Sequence, residues 1–315
     1  MKNIYIAILL IIANTIYSQN ATTQKADQLF ESYQYVGAIE AYSKLAEGKN
    51  ADAYVYLQLA NSYYNIFNNE EASKWYAKAV ENKTKLDSEN YYRYAQTLKS
   101  LGKYKEANRQ MDVFASLVPN DSRAKEHKLN PDYIPSLNSK TKLFDVSTTS
   151  IKNKGVSDFG AFLTNDNELY FASTRTNKKT DKWNNQPYLD IYKSIRNVNG
   201  TFSEPVEVSE LNTPFHDGPV TISTDGNTMF FARDGHSEGQ FQKNKSSNTK
   251  VGQQGLYIAT KTDGKWTNIN ALPINSKEYS VTNPSLSSDG KTLYFASNMP
   301  GGMGESDIWK LSING

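Results

Sequence analysis

Two internal repeats of different period divide this 315-residue chain and leave few folds open to it. In the first third, Ala38, Ala72 and Ala107 stand 34 and 35 residues apart, each followed four residues on by a large side chain, Tyr42, Tyr76 or Met111. Leu45, Ala79 and Phe114 come three later. Twelve residues before each alanine is another small residue, Ala26, Ala60 or Ala95, followed after three by Leu29, Tyr63 or Leu98. Spacings of three and four put such positions on one helical face. The small positions let paired helices approach and the large ones fill the gaps between them, so residues 20–122 are expected to form three helix-turn-helix units. Three such units are about the minimum that buries a continuous core.

From Lys142 the apolar period switches to 2. Glu168-Leu-Tyr-Phe-Ala-Ser173, Thr228-Met-Phe-Phe-Ala-Arg233 and Thr292-Leu-Tyr-Phe-Ala-Ser297 superimpose at offsets of 60 and 64. Each follows a turn, Asn165-Asp166-Asn167, Asp225-Gly226-Asn227 or Asp289-Gly290-Lys291, and Asp-Gly between apolar runs is a strong hairpin signal. A strand is expected before each turn, over 159–163, 220–223 and 285–287. A third follows at Asp190-Ile-Tyr-Lys193, Gly255-Leu-Tyr-Ile258 and Asp307-Ile-Trp-Lys310. The first two copies add a fourth through Phe202–Val206 and Trp266–Ile269. Short antiparallel strands repeated in this way are the pattern of β-propeller blades. The expected fold is therefore multidomain, a helical solenoid followed by an incomplete propeller over 143–315. Leu143–Thr148 reads as a further strand that no blade claims. Residues 123–142, with Asn130-Pro131 and Ile134-Pro135, read as an extended connector, because a residue before proline is pushed out of the helical region.

Composition narrows the function classes. Lys+Arg total 35 against Asp+Glu 33, a net charge of +2, which lacks the concentrated positive field of a nucleic-acid binder. No cysteine is present, so there is no disulfide framework, thiolate metal site or cysteine nucleophile. Met1-Lys2-Asn3, the apolar run Ile4–Ile16 and the polar close at Tyr17–Asn20 have the layout of a secretory signal peptide, with cleavage expected after Ser18 or Gln19. About 13 apolar residues rise only ~20 Å as a helix, short of the ~30 Å hydrocarbon core of a bilayer. An exported protein, placed in the periplasm, is expected.

The helical spacings, with Gly102-Lys103-Tyr104 in a turn and Pro119 closing the third unit, resemble the tetratricopeptide repeat. That resemblance implies a protein-binding array with its face lined by the first helix of each unit. Tyr56, Asn61, Tyr64, Tyr91 and Gln96 are the candidates for that face, with packing within the solenoid as the equal alternative. The blades resemble WD40-like repeats of the TolB type. The whole order, with Asn130-Pro131-Asp132-Tyr133, Phe215-His216-Asp217-Gly218-Pro219, Pro300-Gly301-Gly302 and Ser306-Asp307-Ile308-Trp309, is similar to OmpA family proteins of gliding and type IX secreting bacteria. The resemblance implies a non-enzymatic scaffold at the outer membrane with envelope proteins as partners. It also implies that this chain is the N-terminal part of a longer protein whose C-terminal domain grips peptidoglycan.

Catalytic chemistry finds little support. Gly235-His236-Ser237-Glu238-Gly239 fits the nucleophile elbow of α/β-hydrolases, but a polar loop follows in place of a helix and no histidine lies downstream of His236. Asp190 and Asp307 begin equivalent third strands, where a repeated carboxylate is expected to accept backbone N–H bonds. Catalytic, cofactor and metal residues are accordingly expected to be none. The alternative is an exported propeller-containing hydrolase or glycan-binding protein whose catalytic domain lies beyond Gly315. The loops Lys178–Gln186 and His236–Gln254 are expected to be long and exposed.

Overall fold

The computed structural model describes residues 23–48, 51–82, 86–153, 155–175, 179–244 and 249–313. The signal-peptide reading of residues 1–19 and the residue Lys178 lie outside the described residues. The chain divides into two compact units, one reaching Phe144 and including Lys182–Asn184, the other holding Asp145–Asp181 and the chain from Asn185 onward.

The first unit is helical. Helices α1 (Gln24–Glu31) and α2 (Tyr35–Ala46), α3 (Ala53–Asn65) and α4 (Asn69–Glu81), and α5 (Ser88–Ser100) and α6 (Tyr104–Leu117) form three consecutive pairs. The small positions of the repeat, Ala26, Ala38, Ala60, Ala72, Ala95 and Ala107, are all buried. So are Tyr42, Tyr76 and Phe114, each contributing about 2–3 kcal/mol by removing apolar surface from water. Side-chain caps set two of the helix starts: Asp52 accepts from the Val55 N–H at 2.9 Å and Asn68 from the Glu71 N–H at 3.2 Å.

The turn inside each pair is the same device three times. Gln34 N donates to the Leu29 carbonyl, Asn68 N to that of Tyr63 and Lys103 N to that of Leu98, at 2.9, 3.0 and 2.9 Å. These are the long closing bonds of a Schellman turn, which needs one residue in the left-handed region. Gly102 supplies it in the third pair at φ 70°, but Tyr33 and Phe67 supply it in the first two, at 59° and 61°.

The segment read as an extended connector is in part helical. Helix α7 spans Ser122–Leu129, capped by Asp121, whose carboxylate accepts from the Arg123 N–H at 2.8 Å. A short helix, α8 (Ile134–Asn138), follows with Pro135 in its first turn. There the missing N–H has no helical partner to lose, so proline opens the helix instead of preventing it. Residues 141–149, expected to include a strand at Leu143–Thr148, have no regular structure, and Leu143, Phe144 and Val146 are exposed. No helix among the described residues is long and apolar enough to cross a membrane.

Among the described residues the second unit contains three larger antiparallel sheets and one two-stranded hairpin. Sheet 1 runs β1 (Asp158–Leu163), β2 (Glu168–Ser173), β3 (Asp190–Ile195), β4 (Val206–Glu207). Sheet 2 has the order β5 (Asp217–Ile222), β6 (Thr228–Asp234), β9 (Gln254–Thr262), β10 (Lys265–Ala271), with the hairpin β7 (Phe241–Asn244) and β8 (Thr249–Gly252) inserted between β6 and β9. Sheet 3 has β11 (Val281–Leu286), β12 (Thr292–Ser297) and β13 (Asp307–Ser312). The turns form as expected: Asp225 accepts from the Asn227 N–H and Asp289 from the Lys291 N–H, at 3.1 and 3.0 Å.

Two apolar layers join the sheets. Tyr170 and Ile191 of sheet 1 pack with Met229, Phe231 and Tyr257 of sheet 2, while Phe230 and Leu256 from the other face of sheet 2 pack with Leu293 and Phe295 of sheet 3. Strand β2 approaches β5 closely: a Cβ on Gly218, at φ 95°, would sit 2.8 Å from the Ala172 Cβ, so glycine is required there. The described sheets do not close on themselves. Residues 236–254, expected as an exposed loop, instead carry a 3-10 turn at Gly235–Glu238 and the β7–β8 hairpin. The described part of the other long loop is a tight turn, held by Asp181 N donating to the Gln186 carbonyl at 2.8 Å and a Thr180–Pro187 bridge.

Candidate functional site

The helical repeat carries a polar position that decides which candidate residues are available to a ligand. Asp27, Asn61 and Gln96 lie on the first helix of each pair, 34 and 35 residues apart. In the first pair the Tyr42 hydroxyl donates to Asp27, which also accepts from Tyr54 at 2.8 Å and Thr23 at 2.8 Å. In the second pair the Tyr76 hydroxyl donates to the Asn61 Oδ1 at 2.7 Å. Burial raises the pKa of both tyrosines, so each stays a neutral donor. In the third pair the tyrosine position holds Met111, which has no hydroxyl, and Gln96 is left to line a cavity.

That cavity, of about 300 Å³, lies among α5, α6, α7 and the start of α8. Tyr92, Gln96 and Lys99 enter it from one face of α5, Met111 from α6, and Arg123 and His127 from α7, while Tyr133 stands at its edge. Arg123 is committed: it pairs with Glu89 and Asp121, both at 3.0 Å, and its charge lies over the Tyr92 ring. Its hydrogen bond to Asp121 raises its pKa further. His127 Nε2 meets an Asp112 carboxylate oxygen at 2.8 Å. Lys99 differs, because its ammonium faces the Tyr133 ring at 5.2 Å and burial lowers its pKa. A half-buried cation held over a π-face gains when an anionic group enters beside it.

The other candidates divide between surface and core. Tyr56 stacks on Trp75 at 5.8 Å beneath Lys78, whose ammonium is 4.1 Å from the Trp75 ring centre. Tyr64 packs in the core of the second pair with the Arg93 guanidinium 5.7 Å from its ring. Asn61 is buried and bonded to Tyr76, the packing alternative of the two readings open to it. Tyr91 packs against Ala95, Met111 and Phe114, while its neighbour Tyr92 lines the cavity. Sequence reading selected Gln96 and missed Tyr92, Lys99 and Tyr133. The replacement of tyrosine by Met111 within an otherwise regular repeat was the available signal.

In the sheet unit, Ser237 lies in the 3-10 turn with no helix after it, and the His236 Nδ1 is 2.9 Å from Asp234. The Asp307 carboxylate accepts from the N–H groups of Met303 and Gly304, at 2.8 and 3.1 Å, and so shapes the Gly301–Gly304 loop. Asp190 is buried at the equivalent strand start. No three histidine or acidic side chains converge as a metal site among the described residues.

Two Asp–Arg pairs passed unnoticed in the sequence. Arg175 reaches Asp158 at 2.8 Å over the Phe171 and Tyr192 rings, and Arg233 reaches Asp217 at 2.8 Å over Phe231 and Tyr257. The acids are 59 residues apart and the arginines 58. Asp217 is fully buried, and that burial lifts its pKa to about 6 against the opposing pull of Arg233. Glu168 is the reverse case: burial is outweighed by hydrogen bonds from Lys193, Lys261 and Tyr170, which lower it to about 2.

No family model matches the chain, and no curated protein does. Among solved structures it is similar to the TPR domain of Arabidopsis OM64, at 22% identity over 34% of this chain and 88% of that one, with a TM-score of 0.30. Yeast Tom70 is 26% identical over 38% of this chain and 25% of its own length, at 0.33. The second TPR domain of human RPAP3, solved with an HSP70 peptide, is 24% identical over 38% and 94%, at 0.30.

Proposed function

We propose that the chain is a non-enzymatic, exported scaffold that docks other proteins through its helical repeats and its sheet unit. The observation that carries this reading is the cavity at the end of the helical array. The third repeat gives up the buried tyrosine bond that the first two keep, and an amide and an ammonium line the space beside it. A repeat that loses an internal bond and gains a recess is suited to receiving a side chain or chain terminus from a partner.

The same reading gives the blade-like sheets the role of a second docking surface, as three sheets of a TolB-type propeller. On this reading the protein works in the periplasm with outer-membrane or other envelope proteins as partners, and the signal-peptide layout of its first residues supports export. The resemblance of the quoted motifs to those of OmpA family proteins of type IX secreting bacteria supports that reading.

Cross-linking in the native envelope tests the reading. Partners captured by the full chain are expected to be lost when residues 22–122 are deleted, and to be reduced by Lys99→Glu. Partners that survive both changes would remove the helical array from docking.

A further inference from the structure

The helical array continues past its third pair, and the way it continues opens the cavity. Asp52, Asp87 and Asp121 stand immediately before α3, α5 and α7, 35 and 34 residues apart, so α7 holds the place of a fourth first helix. It has 8 residues where α3 and α5 have 13, and it stops at Leu129 because Pro131 pushes Asn130 out of the helical region. In the first two pairs the next first helix closes over the buried tyrosine: Leu59 packs with Tyr42, and Tyr94 stacks on Tyr76 at 5.4 Å. The same position in α7 is Lys128, which is exposed.

The third pair also lacks the hydroxyl. Tyr42 and Tyr76 each lie fifteen residues after the polar residue they bond, Asp27 and Asn61, and Met111 lies fifteen after Gln96. Among the described residues Gln96 offers its backbone carbonyl to the Ser100 hydroxyl at 3.1 Å, and its side-chain amide makes no bond. Arg123 holds in α7 the place from which Tyr54 in α3 reaches Asp27, but its guanidinium is paired with Glu89 and Asp121.

The lining decides what fits beside that amide. Tyr92, Gln96 and Lys99 are four and three residues apart on one face of α5, and Met111 and the Tyr133 ring add apolar surface. At about 300 Å³ the recess has room for one side chain. A phenol is the group that the first two pairs place against this position. Its hydroxyl can donate to the Gln96 Oε1, as Tyr76 does to Asn61, and still accept from the Lys99 ammonium. Its ring can cover the Met111 thioether and present a π-face to the cation. A carboxylate would meet the Glu126 carboxylate on the same wall and leave the apolar lining facing water.

We propose that the cavity receives a tyrosine side chain of a partner protein, which supplies from outside the phenol that Met111 leaves out of the third pair. The proposal rests on the reading of this cavity as a docking site and names the group it takes. The hydroxyl bonds the Gln96 amide, and the ring lies among Tyr92, Met111 and Tyr133. The third pair then has the tyrosine-to-polar bond that Tyr42 and Tyr76 make within the first two.

The test titrates the full chain with 4-methylphenol, the tyrosine side chain as a free molecule, and with toluene and acetate, followed by calorimetry and ligand-observed NMR. 4-Methylphenol is expected to bind, toluene at least ~5-fold more weakly for want of the hydrogen bond, and acetate more weakly than either. Gln96→Leu is expected to bring 4-methylphenol down to the affinity of toluene. Met111→Tyr is expected to abolish its binding with the melting temperature unchanged; where that variant melts lower, Gln96→Leu decides, since its side chain bonds nothing in the fold. Failure of 4-methylphenol to bind, equal binding of toluene, tighter binding of acetate, or indifference to Gln96→Leu overturns the proposal. Partners captured through residues 22–122 by a chain that does not bind 4-methylphenol would leave the docking reading standing without its tyrosine. 4-Methylphenol held through Gln96 by a chain that captures no partner would remove the docking reading and leave the phenol site.

Discussion

The helical and sheet units are both built by repetition, yet they spend their polar residues differently. In the helical unit the buried hydrogen bonds link the two helices of a pair, Tyr42 to Asp27 and Tyr76 to Asn61, and the turn conformation repeats while the turn residue changes from Tyr33 to Phe67 to Gly102. In the sheet unit the ionic groups lie at strand ends and over aromatic rings, Asp158 with Arg175 and Asp217 with Arg233. A helix satisfies its own backbone, so a helical repeat tolerates loss of one side-chain bond and can leave a cavity, as at Met111. Stacked sheets meet face to face, where an unpaired buried charge has no exit to water. The expectation is that single changes in the sheet unit destabilise more than comparable changes in the helical one.

The largest effect is expected from Arg233→Met, which strands the Asp217 carboxylate in the core. A loss of about 3–5 kcal/mol is expected at pH 7, read from urea unfolding of the sheet unit. Asp217 already has its pKa raised to about 6, so its protonated form favours the native state. Its contribution is present below about 3.8 and is lost as pH rises through 6, and the variant should show a smaller deficit at pH 4 than at pH 7. An equal deficit at both values would mean that Asp217 is not the group left unpaired.

Glu168→Gln comes next, with about 1–2 kcal/mol expected from weakening the bonds to Lys193 and Lys261. The sign of the pH effect is opposite. Because the Glu168 carboxylate is lowered to about 2 from 4.5, its stabilisation is present above 4.5 and is lost as pH falls toward 2. Melting temperatures measured across that range should converge for the two proteins at the acid end.

In the helical unit, Met111→Tyr restores the hydroxyl that the first two pairs possess. It is expected to fill the cavity, engage Gln96 and weaken partner binding by roughly tenfold, about 1.4 kcal/mol, without loss of thermal stability. Unchanged binding in a titration with a captured partner would take the cavity out of the docking site. The smallest effect is expected at Phe67, whose ring is 83% exposed while its backbone occupies the left-handed region. Phe67→Gly should stabilise the unit by ~0.5 kcal/mol, relief of strain exceeding the entropy that glycine adds to the unfolded chain.

Much of the architecture was legible because it repeats. The alanine spacing located the helix pairs, and the aromatic strands with their Asp-Gly turns located the sheets, since periods of 3.6 and 2 follow from the backbone itself. The connector was misread for a local reason: Asn130-Pro131 and Ile134-Pro135 argue for extended chain, but Asp121 caps a helix before the first proline and Pro135 lies in the first turn of the next. Tyr33 and Phe67 gave no sign of left-handed turns, because aromatic residues rarely adopt them and only the closing bond of the repeat holds them there. The candidate site was half legible. Gln96 was selected with Asn61 as though the two were alike, and their difference depends on whether a residue fifteen positions away carries a hydroxyl.

Sequence by itself determined where the repeats fall, which residues face the core and where the chain turns, because these depend on spacing and local conformation. Tertiary structure decided which polar groups are spent on internal bonds and which remain open, and which of two identical faces is covered. Tyr170 and Ile191 match Tyr294 and Ile308 residue for residue, and nothing in the letters separates the buried pair from the exposed one. Burial is a property of what lies opposite, and only the packed sheets supply that.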